Sequence, residues 1–122
     1  MRRAALALAL LLPASCRTAP ERPADGRLPL GELYGRFRSL EGAWRLDTVF
    51  RYPGGELPIQ ALRTAREGKA LWLLAGIHGE EPAPPNAVFQ NRARLDALAA
   101  NGIPIVVFPL CNPVGYSKNW RY

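Results

Sequence analysis

The chain contains one histidine, His78, in the segment Ala75-Gly76-Ile77-His78-Gly79-Glu80-Glu81-Pro82. It lies just past the apolar run Ala70-Leu71-Trp72-Leu73-Leu74-Ala75, where glycines begin, and the carboxylate of Glu81 follows three residues later. Imidazole nitrogen and carboxylate oxygen are both ligands for zinc. Gly76 and Gly79 permit the sharp turn that would bring the two side chains to one ion. Glu80 takes the place of Glu81 as ligand if the turn winds differently. A lone His-x-x-Glu pair arises by chance in many chains, so its weight depends on the elements around it. With a single histidine already placed there, no Ser-His-Asp arrangement can be assembled.

Those elements are legible. Leu30, Leu33, Tyr34, Phe37 and Leu40 recur at helical spacing among Glu32, Arg36 and Arg38, which predicts a short amphipathic helix. Residues 43–52 largely alternate and are rich in aromatic and β-branched types; Pro53-Gly54-Gly55 marks a turn, and residues 57–65 read as the returning strand of a hairpin. Residues 70–77 form an unbroken apolar run, the pattern of a strand covered on both faces. Pro82, Pro84 and Pro85 precede a helix expected over 86–100, proline being tolerated in the first helical turn. Asn101-Gly102 is a stop signal, and Ile103 to Leu110 reads as a second buried strand. Residues 70–110 are therefore a β-α-β unit, whose right-handed crossover sets the two strands parallel in one sheet. Ligand sites in open α/β sheets gather at the carboxyl ends of strands. His78 and Asn112 both follow such ends, which places them on one rim.

The rest of the chain bounds the answer. Its 122 residues make one small domain at most, and an apolar content of 48% is not that of a disordered protein. The formal charge of +6 falls to +4 without residues 1–16, which carry Arg2 and Arg3 and no acid. The remaining arginines are scattered among acids rather than gathered on a stripe with aromatic platforms, which argues against nucleic acid as a partner. Met1-Arg2-Arg3 and the apolar stretch to Ala14 have the layout of a secretory signal, too short for the roughly 20 apolar residues of a membrane span. Small residues before Cys16 resemble a bacterial lipoprotein cleavage site, with Pro13 where such sites usually carry leucine, so ordinary signal cleavage stays open. Residues 17–29, proline-rich and without periodicity, read as a flexible linker. If Cys16 is lipidated or removed, Cys111 has no partner and no intrachain disulfide is expected; its expected role is that of a small core hydrophobe.

From Leu73 to Tyr122 the chain resembles the M14 zinc carboxypeptidases, especially bacterial ones. The resemblance rests on the Gly76-Ile77-His78-Gly79-Glu80-Glu81-Pro82 turn, then a helix-length segment, then the run Ile105-Val106-Val107-Phe108 leading to Asn112-Pro113-Val114-Gly115 and Trp120-Arg121. It implies an α/β fold, the N-terminal part of a mixed-sheet zinc carboxypeptidase-like domain over residues 30–122. It implies zinc held by His78 and Glu81, with a second histidine and a general-base glutamate later in the family's pattern than Tyr122. It implies that Arg121 faces the oxyanion of a scissile carbonyl, although its spacing from Gly115 is shorter than in pancreatic-type members. The activity implied is zinc-dependent hydrolysis of a peptide or amide bond by the full-length protein, incomplete in this chain, which alone is expected to be inactive.

Two alternatives stand beside it. Deacylases of the aspartoacylase and succinylglutamate desuccinylase type share His-x-x-Glu and cleave N-acyl amino acids. A truncated exported protein without catalytic activity is the other. The leader favours a peptide substrate outside the cytoplasm, with the protein periplasmic or anchored to a membrane through Cys16. Metabolic labelling with a fatty acid should mark the wild type and leave Cys16→Ser unmarked; a cleaved, unlabelled product from both would show an ordinary signal peptide.

Overall fold

A computed structural model describes residues 23–40, 44–55 and 57–122. The segment expected as an export signal, and Cys16, lie outside the described residues. Among these residues, no helix is long and apolar enough to cross a membrane.

The first element, α1 (Leu30–Arg38), buries the side predicted for it: Leu33, Tyr34 and Phe37 face the core, and Glu32 pairs with Arg36 one turn away at 2.8 Å. β1 (Arg45–Arg51) and β2 (Pro58–Arg63) form an antiparallel hairpin, from Arg45 opposite Arg63 to Arg51 opposite Pro58, with an irregularity between Thr48 and Phe50. β3 (Leu71–Leu74) and β4 (Ile105–Phe108) run parallel, Leu71 opposite Ile105 and Leu74 opposite Phe108. β2 joins them by antiparallel pairing with β4, giving a mixed four-stranded sheet in the order β1-β2-β4-β3.

Three expectations are corrected. β3 is not covered on both faces. It is an edge strand of the described sheet, with Trp72 60% and Leu74 57% exposed and Trp72 stacked on Phe108 at 5.8 Å. An apolar run is the same string of residues whether or not a neighbour covers it. The single helix over 86–100 is two: α2 (Ala83–Gln90), with its prolines in the first turn, and α3 (Arg92–Ala100). The break falls at Asn91, whose backbone leaves the helical region while its side-chain amide donates to the Ala87 carbonyl at 2.9 Å. Such short polar side chains compete locally with helical bonding. The linker expected over 17–29 does not hold at its far end, because Leu28 is buried in the core. Its N–H donates to the Tyr116 hydroxyl and its carbonyl accepts from it, both at 3.0 Å.

Two apolar clusters fill the interior. One gathers Leu28, Leu33, Tyr34, Phe37, Leu110 and Tyr116; the other gathers Leu40, Trp44, Leu62, Ile105 and Val107 on the helix-covered face of the sheet. Phe89 of α2 packs against both and stacks on Phe37 at 5.4 Å. Since burying a large apolar side chain contributes about 1.5–3 kcal/mol, these clusters fix α1 and α2 on the sheet and hold the ends of β3 and β4 in place.

Candidate metal centre

The segments leaving β3 and β4 stay paired beyond the strands. Ala75 N–H donates to the Phe108 carbonyl, Cys111 N–H to the Ala75 carbonyl and Asn112 N–H to the Gly76 carbonyl, at 2.8–2.9 Å. Gly76 turns the chain out with φ +60, and a β-carbon there would lie 2.7 Å from Leu110 Cδ1. Glu81 N–H then donates to the His78 carbonyl at 3.3 Å, closing a tight turn. This turn brings His78 Nδ1 to 3.2 Å from Glu81 Oε1, with both side chains partly open to solvent.

The second segment enters the same place. Asn112 caps α4 (Pro113–Lys118), its Oδ1 accepting from Gly115 N–H at 2.8 Å. Asn119 ends α4 in the left-handed region at φ 55, redirecting the chain toward the His78 turn. There the Arg121 carbonyl accepts from Gly79 N–H at 3.3 Å and from the Asn112 amide at 3.5 Å. Gly79 has no room for a side chain, since a β-carbon would overlap the Gly115 carbonyl carbon, Tyr116 N and the Trp120 carbonyl oxygen. The Arg121 guanidinium donates to Glu80 Oε1 at 2.7 Å and lies 3.8 Å from Glu81 Oε1. The Tyr122 ring meets His78 edge-on, centroids 6.2 Å apart.

His78, Glu81 and Arg121 are thus brought together. Among the described residues, no group of three or more His, Cys, Asp and Glu side chains gathers at one point. Glu80 is engaged with Arg121. Its burial opposes ionisation, but its own backbone N–H and the Arg121 guanidinium outweigh that and hold the acid below its ordinary value. A lowered acid stabilises the fold above its unfolded value and loses that contribution as pH falls through the folded one. The Glu80–Arg121 pair is therefore intact at neutral pH and opens in acid. Burial pushes the thiol of Cys111 up, and its sulfur lies 4.0 Å from the Phe108 carbonyl, so it is a partly buried, unactivated thiol.

No protein-family model matches the sequence, and no curated protein is detectably similar to it. Solved structures are similar to it. A candidate metallopeptidase from Shewanella denitrificans superposes with a TM-score of 0.65 at 21% identity, over 76% of this chain and 37% of that one. A second, from Shewanella amazonensis, gives 0.66 at 24% identity, over 76% and 36%. Thrombin-activatable fibrinolysis inhibitor, a carboxypeptidase of the M14 family, gives 0.63 at 17% identity, over 80% and 30%. The fold is therefore that of part of a mixed α/β metallocarboxypeptidase-like domain, and this chain spans 30–37% of the length of those proteins.

The close approach at Gly79 yields a direct test. Gly79→Ala forces backbone against backbone, which no rotamer relieves, and should cost at least about 1–3 kcal/mol, seen as a lower denaturant midpoint. Gly35→Ala, inside α1 with nothing within 4 Å of the added carbon, should be neutral or gain about 0.5–1 kcal/mol.

Proposed function

We propose that this chain carries the metal-binding turn and the oxyanion-facing arginine of a zinc-dependent hydrolase of peptide bonds, of the carboxypeptidase kind. One observation carries the reading: His78 Nδ1 and Glu81 Oε1 converge to 3.2 Å at the end of β3. With bonds of about 2.0–2.1 Å, two ligand atoms of a tetrahedral zinc lie about 3.3–3.4 Å apart. The donor types and their separation both fit the ion. They supply two of the typically three protein ligands of a catalytic site. A bound zinc contributes Lewis acidity toward a carbonyl and lowers the pKa of water.

The chain's own residues supply the rest of the reading. His78 and Glu81 offer an imidazole nitrogen and a carboxylate oxygen from a single turn. Arg121 presents fixed positive charge beside them, and Glu80, by accepting one guanidinium N–H, orients the remaining donors. A cation already in place when negative charge develops on a carbonyl oxygen costs no reorganisation at that moment. No residue of this chain is assigned the proton-accepting role. The neighbouring structures are candidate metallopeptidases and a carboxypeptidase, which supports a peptide over an N-acyl amino acid. The leader and Cys16 support export and a lipid anchor for the same protein.

Zinc titrated into the full chain by calorimetry should bind the wild type and Arg121→Ala equally, and His78→Ala and Glu81→Ala at least about tenfold more weakly. Equal affinity in all four would contradict the assignment. In an active form, Arg121→Ala should lower kcat and kcat/KM together by about 100- to 1,000-fold, the usual cost of one preorganised oxyanion donor.

A further inference from the structure

Arg27 lies in the segment read as linker, yet its side chain is only 11% exposed. Its Nη1 donates to the Gly79 carbonyl at 2.7 Å and to the Tyr116 carbonyl at 2.6 Å; its Nη2 donates to Asn119 Oδ1 at 2.6 Å. Its guanidinium carbon sits 4.5 Å above the Tyr116 ring. Asp25 closes the outer side, 3.2 Å from Nη2. Apart from this neighbour, every acceptor belongs to the two segments that build the site. Gly79 lies between His78 and Glu80, while Tyr116 and Asn119 set the path of the chain to Arg121.

We infer that Arg27 is a positioning residue for the metal turn: its planar fork ties the His78–Glu81 turn to the end of α4 and so fixes the separation of the two ligands. The inference rests on the zinc reading above. Hydrogen bonds to the groups that carry metal ligands set ligand geometry, and losing such partners typically weakens metal binding about 10- to 100-fold. A guanidinium presents donors in a rigid plane to several acceptors at once, which an ammonium on a flexible stem does not reproduce. The carbonyls of Gly79 and Tyr116 and the side chain of Asn119 are held by one rigid group. A shift of the N-terminal segment is therefore transmitted to the site. Because Leu28, the next residue, is bonded to Tyr116 in the core, the fork is anchored from behind.

The experiment compares wild type, Arg27→Ala, Arg27→Lys and His78→Ala in the full chain, by zinc titration and by amide hydrogen exchange without metal. Arg27→Ala should weaken zinc binding about 10- to 100-fold. Without metal it should speed exchange at Gly79 and Trp120 by about tenfold or more, with the amides of β4 unchanged. Arg27→Lys should behave in the same direction, and it answers the question if Arg27→Ala fails to fold. Wild-type zinc affinity and exchange in either folded variant would overturn the inference, as would acceleration spread evenly over β4. If the wild type binds no zinc while the local exchange difference persists, the zinc reading falls and the clamp stands.

Discussion

The site depends on the pairing of β3 with β4 and its continuation past both strands. Four parallel residue pairs set the register, and three further backbone hydrogen bonds carry it into the loops. Parallel strands must be joined by a long crossover, here α2 and α3, so their carboxyl ends finish side by side. The His78 turn and the start of α4 are stitched together before any side chain of the site makes a contact. Gly79 then allows the returning chain to lie directly on the turn, bringing Arg121 to Glu80.

Backbone pairing and packing matter more here than the site's own charges. The His78–Glu81 and Arg121–Glu80 contacts are partly exposed, and such solvent-screened contacts contribute little to stability. They cannot organise the loops. Their geometry is inherited from the strand register, from Asn112 capping α4 and from the buried contact of Tyr116 with Leu28. This division would suit the proposed metal site, since side chains held by a rigid frame are preorganised rather than consumed in holding the fold. The frame is also asymmetric. One sheet face is filled by α1, α2 and α3, whereas Trp72 and Leu74 on β3 stay exposed in a chain that spans 30–37% of the structures it resembles.

Much of this was legible in the sequence. The helix at Leu30, the hairpin and the β-α-β unit each carry a period of their own, and the strand-end rule put His78 and Asn112 on one rim. Other features leave no such mark. The break at Asn91 is hidden because α2 and α3 are both plausible helix and differ only in local bonding. The exposure of β3 depends on strand order, which an apolar run does not encode. Arg27 was missed because a charged residue among prolines looks like linker. Its acceptors lie 52, 89 and 92 residues away, beyond any local pattern. Glu80 was weighed only as a substitute ligand, whereas its role as the partner of Arg121 requires the returning chain to be in place.

The central claim is that one zinc ion is held jointly by His78 and Glu81. Crystals of the full chain grown with zinc, measured at the zinc absorption edge, test it most directly. The account predicts an anomalous peak about 2.0–2.2 Å from both His78 Nδ1 and Glu81 Oε1, with the Arg121–Glu80 pair retained beside it. A peak elsewhere on the surface, or one bonded to His78 while Glu81 points away, would contradict it.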